Sequence, residues 1–164
     1  MVGMRHFLLM MAVVMGQSVL AADKKPLTNE EWVKVIEAAI HKATKKPAGA
    51  LTKEDFKQAS VLNLEFSAIT DLSALLRLKK LGVKKLEGLI LGNNKITDVN
   101  ALTKLKKLKM LELNNNQLTD ISALSKLKHL VELDLRNNPN LTKSKIEQLQ
   151  KALLKCRIYH NAKK

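Results

Sequence analysis

The chain has 164 residues, and its 29 Lys and Arg against 15 Asp and Glu give a formal charge of +14. Apolar residues make up 46 % and aromatic residues 3 % of it, and leucine is the commonest residue. The length allows one ordinary domain, and the apolar content excludes a disordered polycation. Such a charge suggests nucleic acid or an anionic surface as the partner, so the positions of the charges have to be considered.

Residues 1–21 predict a secretory signal peptide. Arg5 supplies the positive start, an apolar stretch runs from Phe7 to Met15, and Val19-Leu20-Ala21 offers a cleavage site. The apolar stretch is too short to span a bilayer comfortably, and an uncleaved N-terminal anchor is the alternative. No later segment is apolar enough to cross a membrane, so none is expected after cleavage. We therefore expect a secreted protein or one of the periplasm or cell envelope.

The region 22–59 predicts a helical N-terminal cap. Thr28-Asn29-Glu30-Glu31 has the spacing of a capping box, and it opens a helix expected over 29–46. The helix has an apolar face made of Trp32, Ile36, Ala39, Ile40 and Ala43. Thr52 begins a second short helix, and the first strand is expected at Val61.

About four repeats fill the region 60–141, and most of them keep a step of 22 residues. The step separates three sets of residues: Leu89, Leu111 and Leu133; Leu91, Leu113 and Leu135; and Asn94, Asn116 and Asn138. An imperfect earlier copy begins at Leu62, 27 residues ahead of Leu89. Five extra residues therefore lie between Leu75 and Leu86.

The recurring pattern L-x-x-L-x-L-x-x-N-x-[IL], continued by I-T-D-[VI]-x-A-L, resembles leucine-rich repeats. It looks like the 22-residue kind found in bacterial internalin-like proteins. The resemblance implies an α/β solenoid, a leucine-rich-repeat horseshoe segment with a short parallel sheet on its concave side. The connecting arms would form the convex side, and helical caps would close the N- and C-terminal ends. Proteins of this kind generally bind other proteins through the concave face.

The residues themselves favour the same architecture. Alternation in Leu-x-Leu predicts a short strand whose leucines point one way, and only stacked copies can bury them. The recurring Asn follows each strand, where its amide can donate to and accept from the backbone of neighbouring coils. We therefore expect a structural ladder of Asn94, Asn116 and Asn138. Asp71, Asp98 and Asp120 each precede a short apolar stretch and are expected to cap its exposed amides.

The region 142–164 predicts a C-terminal helical cap and tail. Thr142 is expected to cap a helix over 143–155 whose apolar side chains are Ile146, Leu149, Leu153 and Leu154. Cys156-Arg157-Ile158-Tyr159-His160 alternates like a final edge strand. Terminal elements of this kind shield the open ends of a solenoid.

Residues that could carry chemistry are few, and we expect no enzyme, cofactor or metal site. The single cysteine, Cys156, could pair between chains or react as a thiol, but a small buried residue of the cap is the preferred interpretation. The histidines after the signal, His41, His129 and His160, lie on separate elements without ligand spacing.

The outward strand positions would form rows across the sheet. The predicted partner-binding residues there are Asn63, Glu65, Phe66, Ile90, Met110, Glu112, Asn114, Glu132, Asp134 and Arg136. Neighbouring strands lie about 4.8 Å apart, so Glu112 and Asp134 should repel each other unless a cation or Arg136 relieves them. A calcium site at Glu112, Glu132 and Asp134 is one alternative, and an ordinary solubilising sheet face is another.

Most lysines fall outside this face. Those of the arms are Lys79, Lys80, Lys84, Lys85, Lys104, Lys106, Lys107, Lys126 and Lys128. They would solvate the convex side or attach the protein to an anionic envelope polymer or lipid headgroups. Nucleic acid is disfavoured by the export signal and by the lack of aromatic residues that stack on bases. We expect a monomeric, exported, non-catalytic leucine-rich-repeat module that binds a protein of unknown identity.

Overall fold

The computed structural model describes residues 28–46, 49–76 and 83–163. The predicted signal, Lys79 and Lys80 lie outside these ranges. Five strands of three residues form one sheet in the order β1-β2-β3-β4-β5, and every neighbouring pair is parallel. The strands are β1 (Val61–Asn63), β2 (Gly88–Ile90), β3 (Met110–Glu112), β4 (Glu132–Asp134) and β5 (Arg157–Tyr159). The expected parallel sheet is thereby confirmed.

Leucines at the inward positions of the strands form the core. The central leucines of β1 to β4 pair in register and are fully buried; they are Leu62, Leu89, Leu111 and Leu133. A second buried row follows two residues later: Leu64, Leu91, Leu113 and Leu135. Each fully buried leucine stabilises the fold by about 1.5–3 kcal/mol. Because both rows run through all four repeats, one core unites them.

Short 3₁₀ turns return the chain from one strand to the next. They span Ser73–Leu75, Asn100–Lys104 and Ser122–Lys126. Before each turn an aspartate accepts a hydrogen bond from the backbone N–H two residues ahead, as the sequence predicts. The bond from Asn100 to Asp98 is 2.7 Å long, and the bond from Ser122 to Asp120 is 2.9 Å. Asp71 accepts in the same way from Ser73 at 2.9 Å.

The predicted asparagine ladder is present, and all three of its side chains are buried. Asn116 donates through Nδ2 to the carbonyl oxygens of Leu91 and Leu113 at 3.0 and 3.1 Å. Its Oδ1 accepts from the N–H of Ile96 at 2.9 Å. One amide thus satisfies backbone groups of two successive coils, which the interior of a turn requires. Asn94 and Asn138 make equivalent bonds.

The residue before each ladder position has a left-handed backbone conformation. Asn93, Asn115 and Asn137 have φ of 55°, 54° and 57°. Asparagine is one of the few residues other than glycine that adopt this conformation readily. The first repeat has Phe66 at the equivalent position, also with φ of 55°. In each pair of asparagines, the first therefore permits the turn, and the buried second one hydrogen-bonds the backbones of successive coils.

Helices α1 (Asn29–Thr44) and α2 (Lys53–Gln58) precede the sheet. α1 begins with the predicted capping box, in which the N–H of Thr28 donates to Glu31 at 2.7 Å. Its apolar face packs against β1 and the first 3₁₀ turn. Ala43 is exposed, so its predicted place on that face is wrong.

At the C-terminal end, α3 (Lys143–Ala152) packs against the third 3₁₀ turn, and β5 extends the sheet as predicted. Thr142 occupies the N-cap position as predicted, but its side chain makes no capping hydrogen bond. The predicted extent of the helix to residue 155 is wrong, because α3 ends at Ala152 and leaves Leu154 84 % exposed. Cys156 is buried, as expected, and burial together with the charge of Glu132 raises the pKa of its thiol to about 11. Among the described helices, none is long and apolar enough to cross a membrane.

Candidate binding face

The strand register brings the predicted binding residues onto one surface, which we call the strand face. Its first row is Val61, Gly88, Met110, Glu132 and Arg157, and its second is Asn63, Ile90, Glu112, Asp134 and Tyr159. Glu65, Phe66, Asn114 and Arg136 follow the strands, where backbone bonds from Phe66 to Gly92 and from Asn115 to Arg136 continue the ladder. The rows agree with those expected from the repeat step. Their role in binding stays a prediction.

The fifth strand adds residues to this face that the sequence analysis missed. The hydroxyl of Tyr159 donates to Glu132 at 3.1 Å, and the guanidinium of Arg136 lies 5.8 Å from the centre of the tyrosine ring. Arg157 adds a second positive group, and its Nη1 donates to the hydroxyl of Tyr159 at 3.4 Å. The alternation that predicts the edge strand β5 is the signal that places Arg157 and Tyr159 in these rows.

Two glycines let larger side chains lie flat across the face. A Cβ at Gly88 would come within 3.0 Å of Val61 and 3.1 Å of Met110. A Cβ at Gly92 would come within 2.8 Å of the side-chain oxygen of Asn114. Val61 and Met110 thus approach each other over β2, and they form an apolar area beside Ile90.

Three of the four acidic residues of the face have partners. Asp134 is clamped by Arg136, whose Nη2 and Nε donate to its two carboxylate oxygens at 2.6 and 3.0 Å. Asn93 donates to Glu65 at 2.9 Å, and Tyr159 donates to Glu132. Arg136 therefore pairs with Asp134 and offsets only part of the repulsion that Glu112 experiences from the neighbouring acids.

Glu112 is the exception, and it occupies the middle strand of the five. It is partly buried and has no hydrogen bond or ion pair with any residue that the structure describes. Burial raises the pKa of its carboxyl group, and the charges of Asp134, Glu65 and Glu132 raise it further, against a smaller opposing effect of Arg136. A carboxylate without a donor thus stands at the centre of a field of negative charge.

A second acceptor nearby also lacks a donor. The side-chain oxygen of Asn114, two residues beyond Glu112, is buried and accepts no hydrogen bond within the described chain. Within the described ranges, no group of three or more His, Cys, Asp or Glu could hold a metal ion. The calcium alternative at Glu112, Glu132 and Asp134 is therefore not supported.

Lysines of the arms form a different pattern. Lys84, Lys106 and Lys128 are exposed and keep the repeat step, and so do Lys104 and Lys126. Lys104 and Lys126 end two of the 3₁₀ turns, and Lys84, Lys106 and Lys128 lie in the segments that lead from such turns to the next strands. Positive charge is thus repeated from coil to coil outside the strand face.

A parallel sheet of one short strand per coil, with an asparagine ladder and 3₁₀ returns, defines a leucine-rich-repeat solenoid. The family model described as Leucine Rich repeats (2 copies) matches residues 84–126 and 106–151. Residues 84–151 thus match leucine-rich repeats, and the chain has the fold of a leucine-rich-repeat solenoid. No curated protein matches its sequence.

Several solved structures have a fold similar to that of this chain. Internalin C2 of Listeria monocytogenes superposes with a TM-score of 0.61 at 24 % identity, over 79 % of this chain and 56 % of that one. Internalin InlF of the same organism gives 0.58 at 22 %, over 79 % and 44 %. A leucine-rich-repeat protein of Leptospira interrogans gives 0.52 at 34 %, over 66 % and 28 %. The chain therefore spans less than two thirds of the length of each of these proteins.

Proposed function

We propose that this chain is an exported, non-catalytic interaction module that binds a protein partner through the strand face. The observation that carries the proposal is that this face has an exposed apolar side chain and a carboxylate without a hydrogen-bond donor. Phe66 is 68 % exposed, and Glu112 is partly buried without a donor. Both groups would gain from contact with another molecule, whereas neither stabilises the isolated chain.

A rigid scaffold supports binding of this kind. Each strand is hydrogen-bonded to its neighbours, and the buried asparagines tie successive coils together. The outward side chains therefore keep fixed spacings before a partner arrives. Binding then requires little ordering of the backbone, so more of the contact energy appears as affinity.

Cross-linking capture with the full chain as bait tests the proposal. The double variant Ile90→Lys, Glu112→Lys raises the charge of the strand face by three units, and Glu147→Lys repeats the Glu112 charge reversal on the exposed surface of α3. We expect the first variant to lose the captured protein and the second to retain it, with both showing the circular dichroism spectrum of the parent. Equal capture by all three proteins would refute the proposal.

The exposed lysines favour a second candidate function, attachment to an anionic envelope polymer or to lipid headgroups. The supporting observation is the repetition of Lys104 and Lys126 at equivalent places on successive coils. Attachment of this kind depends on long-range attraction and weakens steeply as salt is added. Retention on anionic vesicles at two salt concentrations separates the two candidates. Loss of retention in Lys104→Gln, Lys126→Gln, with partner capture unchanged, would identify the second.

A further inference from the structure

We propose that the partner presents an extended segment with an arginine or lysine against Glu112 and an apolar side chain against the area formed by Val61, Ile90 and Met110. The inference rests on the proposed function and adds the chemistry of the partner to it. It follows from which groups of the strand face are already satisfied and which are not.

The carboxylates of the strand face differ in whether the protein itself supplies them with a hydrogen-bond donor. Asp134, Glu132 and Glu65 each accept from a side chain of the protein itself, at 2.6, 3.1 and 2.9 Å. Glu112 accepts from none that the structure describes. A ligand that binds here therefore has to bring its own donor, and the donor has to reach the middle of the sheet.

Charge decides which donor fits best. Glu112 is surrounded by the charges of Asp134, Glu65 and Glu132, and the opposing charge of Arg136 is already engaged by Asp134. A neutral donor would leave this negative field uncompensated, whereas an ammonium or guanidinium group would neutralise it. Charge-assisted hydrogen bonds to a carboxylate are also about twice as strong as neutral ones.

The apolar neighbours indicate an extended segment. Ile90 is the register partner of Glu112 on β2, and Met110 lies two residues earlier on the strand of Glu112 itself. Side chains of an extended peptide that are two residues apart point to the same side, so a basic residue and an apolar one at that spacing would meet both features. Phe66, exposed beyond the end of β1, offers a further apolar contact.

A library of random twelve-residue peptides displayed on phage, selected on the full chain, tests this inference. Enriched clones are counter-screened on Ile90→Lys, Glu112→Lys to find those that need the strand face. Individual clones, as synthetic peptides, are then titrated against the parent, against Glu112→Gln and against the matched control Glu147→Gln. Circular dichroism of each variant establishes that it is folded.

We expect face-dependent peptides to carry Arg or Lys, and Glu112→Gln to weaken them at least about tenfold while Glu147→Gln changes nothing. Replacing the basic residue of the peptide by citrulline or norleucine should cause the same loss. Selection on Glu112→Arg should enrich acidic peptides instead. Face-dependent peptides without a basic residue, or with affinity unchanged in Glu112→Gln, would overturn the inference and leave the proposed function standing. A selection that yields no face-dependent peptide would overturn both the inference and the proposed function. Binding of a second copy of the chain at the strand face would likewise overturn the inference of a different protein as partner.

Discussion

Replacing Glu112 by glutamine removes one charge from the strand face and keeps the shape of the side chain. In the folded protein, burial and the neighbouring acids raise the pKa of this carboxyl group above its value in the unfolded chain. A raised carboxyl pKa means that folding favours the protonated form. The ionised Glu112 therefore lowers stability at neutral pH, and the glutamine variant should be more stable there.

The size of the effect follows from the strand register. Glu112 lies directly opposite Asp134, and like charges at such positions cost about 0.2–1 kcal/mol. With a urea m-value of about 2 kcal/mol/M, the midpoint should rise by about 0.1–0.5 M at pH 7.5. The advantage should shrink as the pH falls through the raised pKa of the folded state, and it should vanish below the unfolded value of about 4.3, where both states are protonated.

Urea unfolding monitored by circular dichroism at a series of pH values measures this difference. Glu147→Gln serves as the control, because Glu147 is exposed on α3 and lies 4.0 Å from Lys143. It should give no gain at pH 7.5, since it removes an attractive pair. A Glu112→Gln variant that is less stable than the parent, or a gain that stays constant down to pH 3.5, would refute the electrostatic reasoning.

The other predictions concern the ladder, the thiol and the turn. Asn116→Ala should cost about 2–5 kcal/mol in chemical denaturation, because it leaves buried backbone groups unpaired. Asn116→Asp should cost more at pH 7, since a carboxylate would face those carbonyls. Cys156 should resist thiol reagents at pH 8 and react only on unfolding, because its pKa is about 11 and it is buried. Phe66→Asn should raise stability by up to about 1 kcal/mol, because it relieves the left-handed backbone and removes little buried area.

Much of the fold could be predicted because its signals repeat. A step of 22 residues fixes which residues lie side by side, since parallel strands pair in register once per coil. Asn94 and the other ladder residues were predictable for the same reason. The capping aspartates needed only local spacing, which the sequence shows directly.

The features that the sequence did not predict depend on contacts outside the repeat. Tyr159 and Arg157 belong to a tail without the leucine pattern, so no step connected them to the rows of the strand face. The repeat step predicted that Arg136 lies near the acidic residues. It could not predict that Arg136 forms its ion pair with Asp134 and that Glu112 remains unpaired. Leu154 fitted the helical period, yet α3 ends at Ala152 because the chain turns there to enter β5.

The strand face contains two energetically unfavourable residues, Phe66 and Glu112. At equivalent positions in other coils, the protein has residues without the same energetic cost. Phe66 holds a left-handed conformation that is rare for a bulky residue, while the three equivalent positions use asparagine. Glu112 carries a charge whose register partner on β2, Ile90, is uncharged. Neither residue contributes to the core, so packing does not explain either. Proteins tolerate local costs of this kind where a site has to stay open to a ligand. A basic, partly apolar segment would neutralise the charge of Glu112 and bury the exposed ring of Phe66.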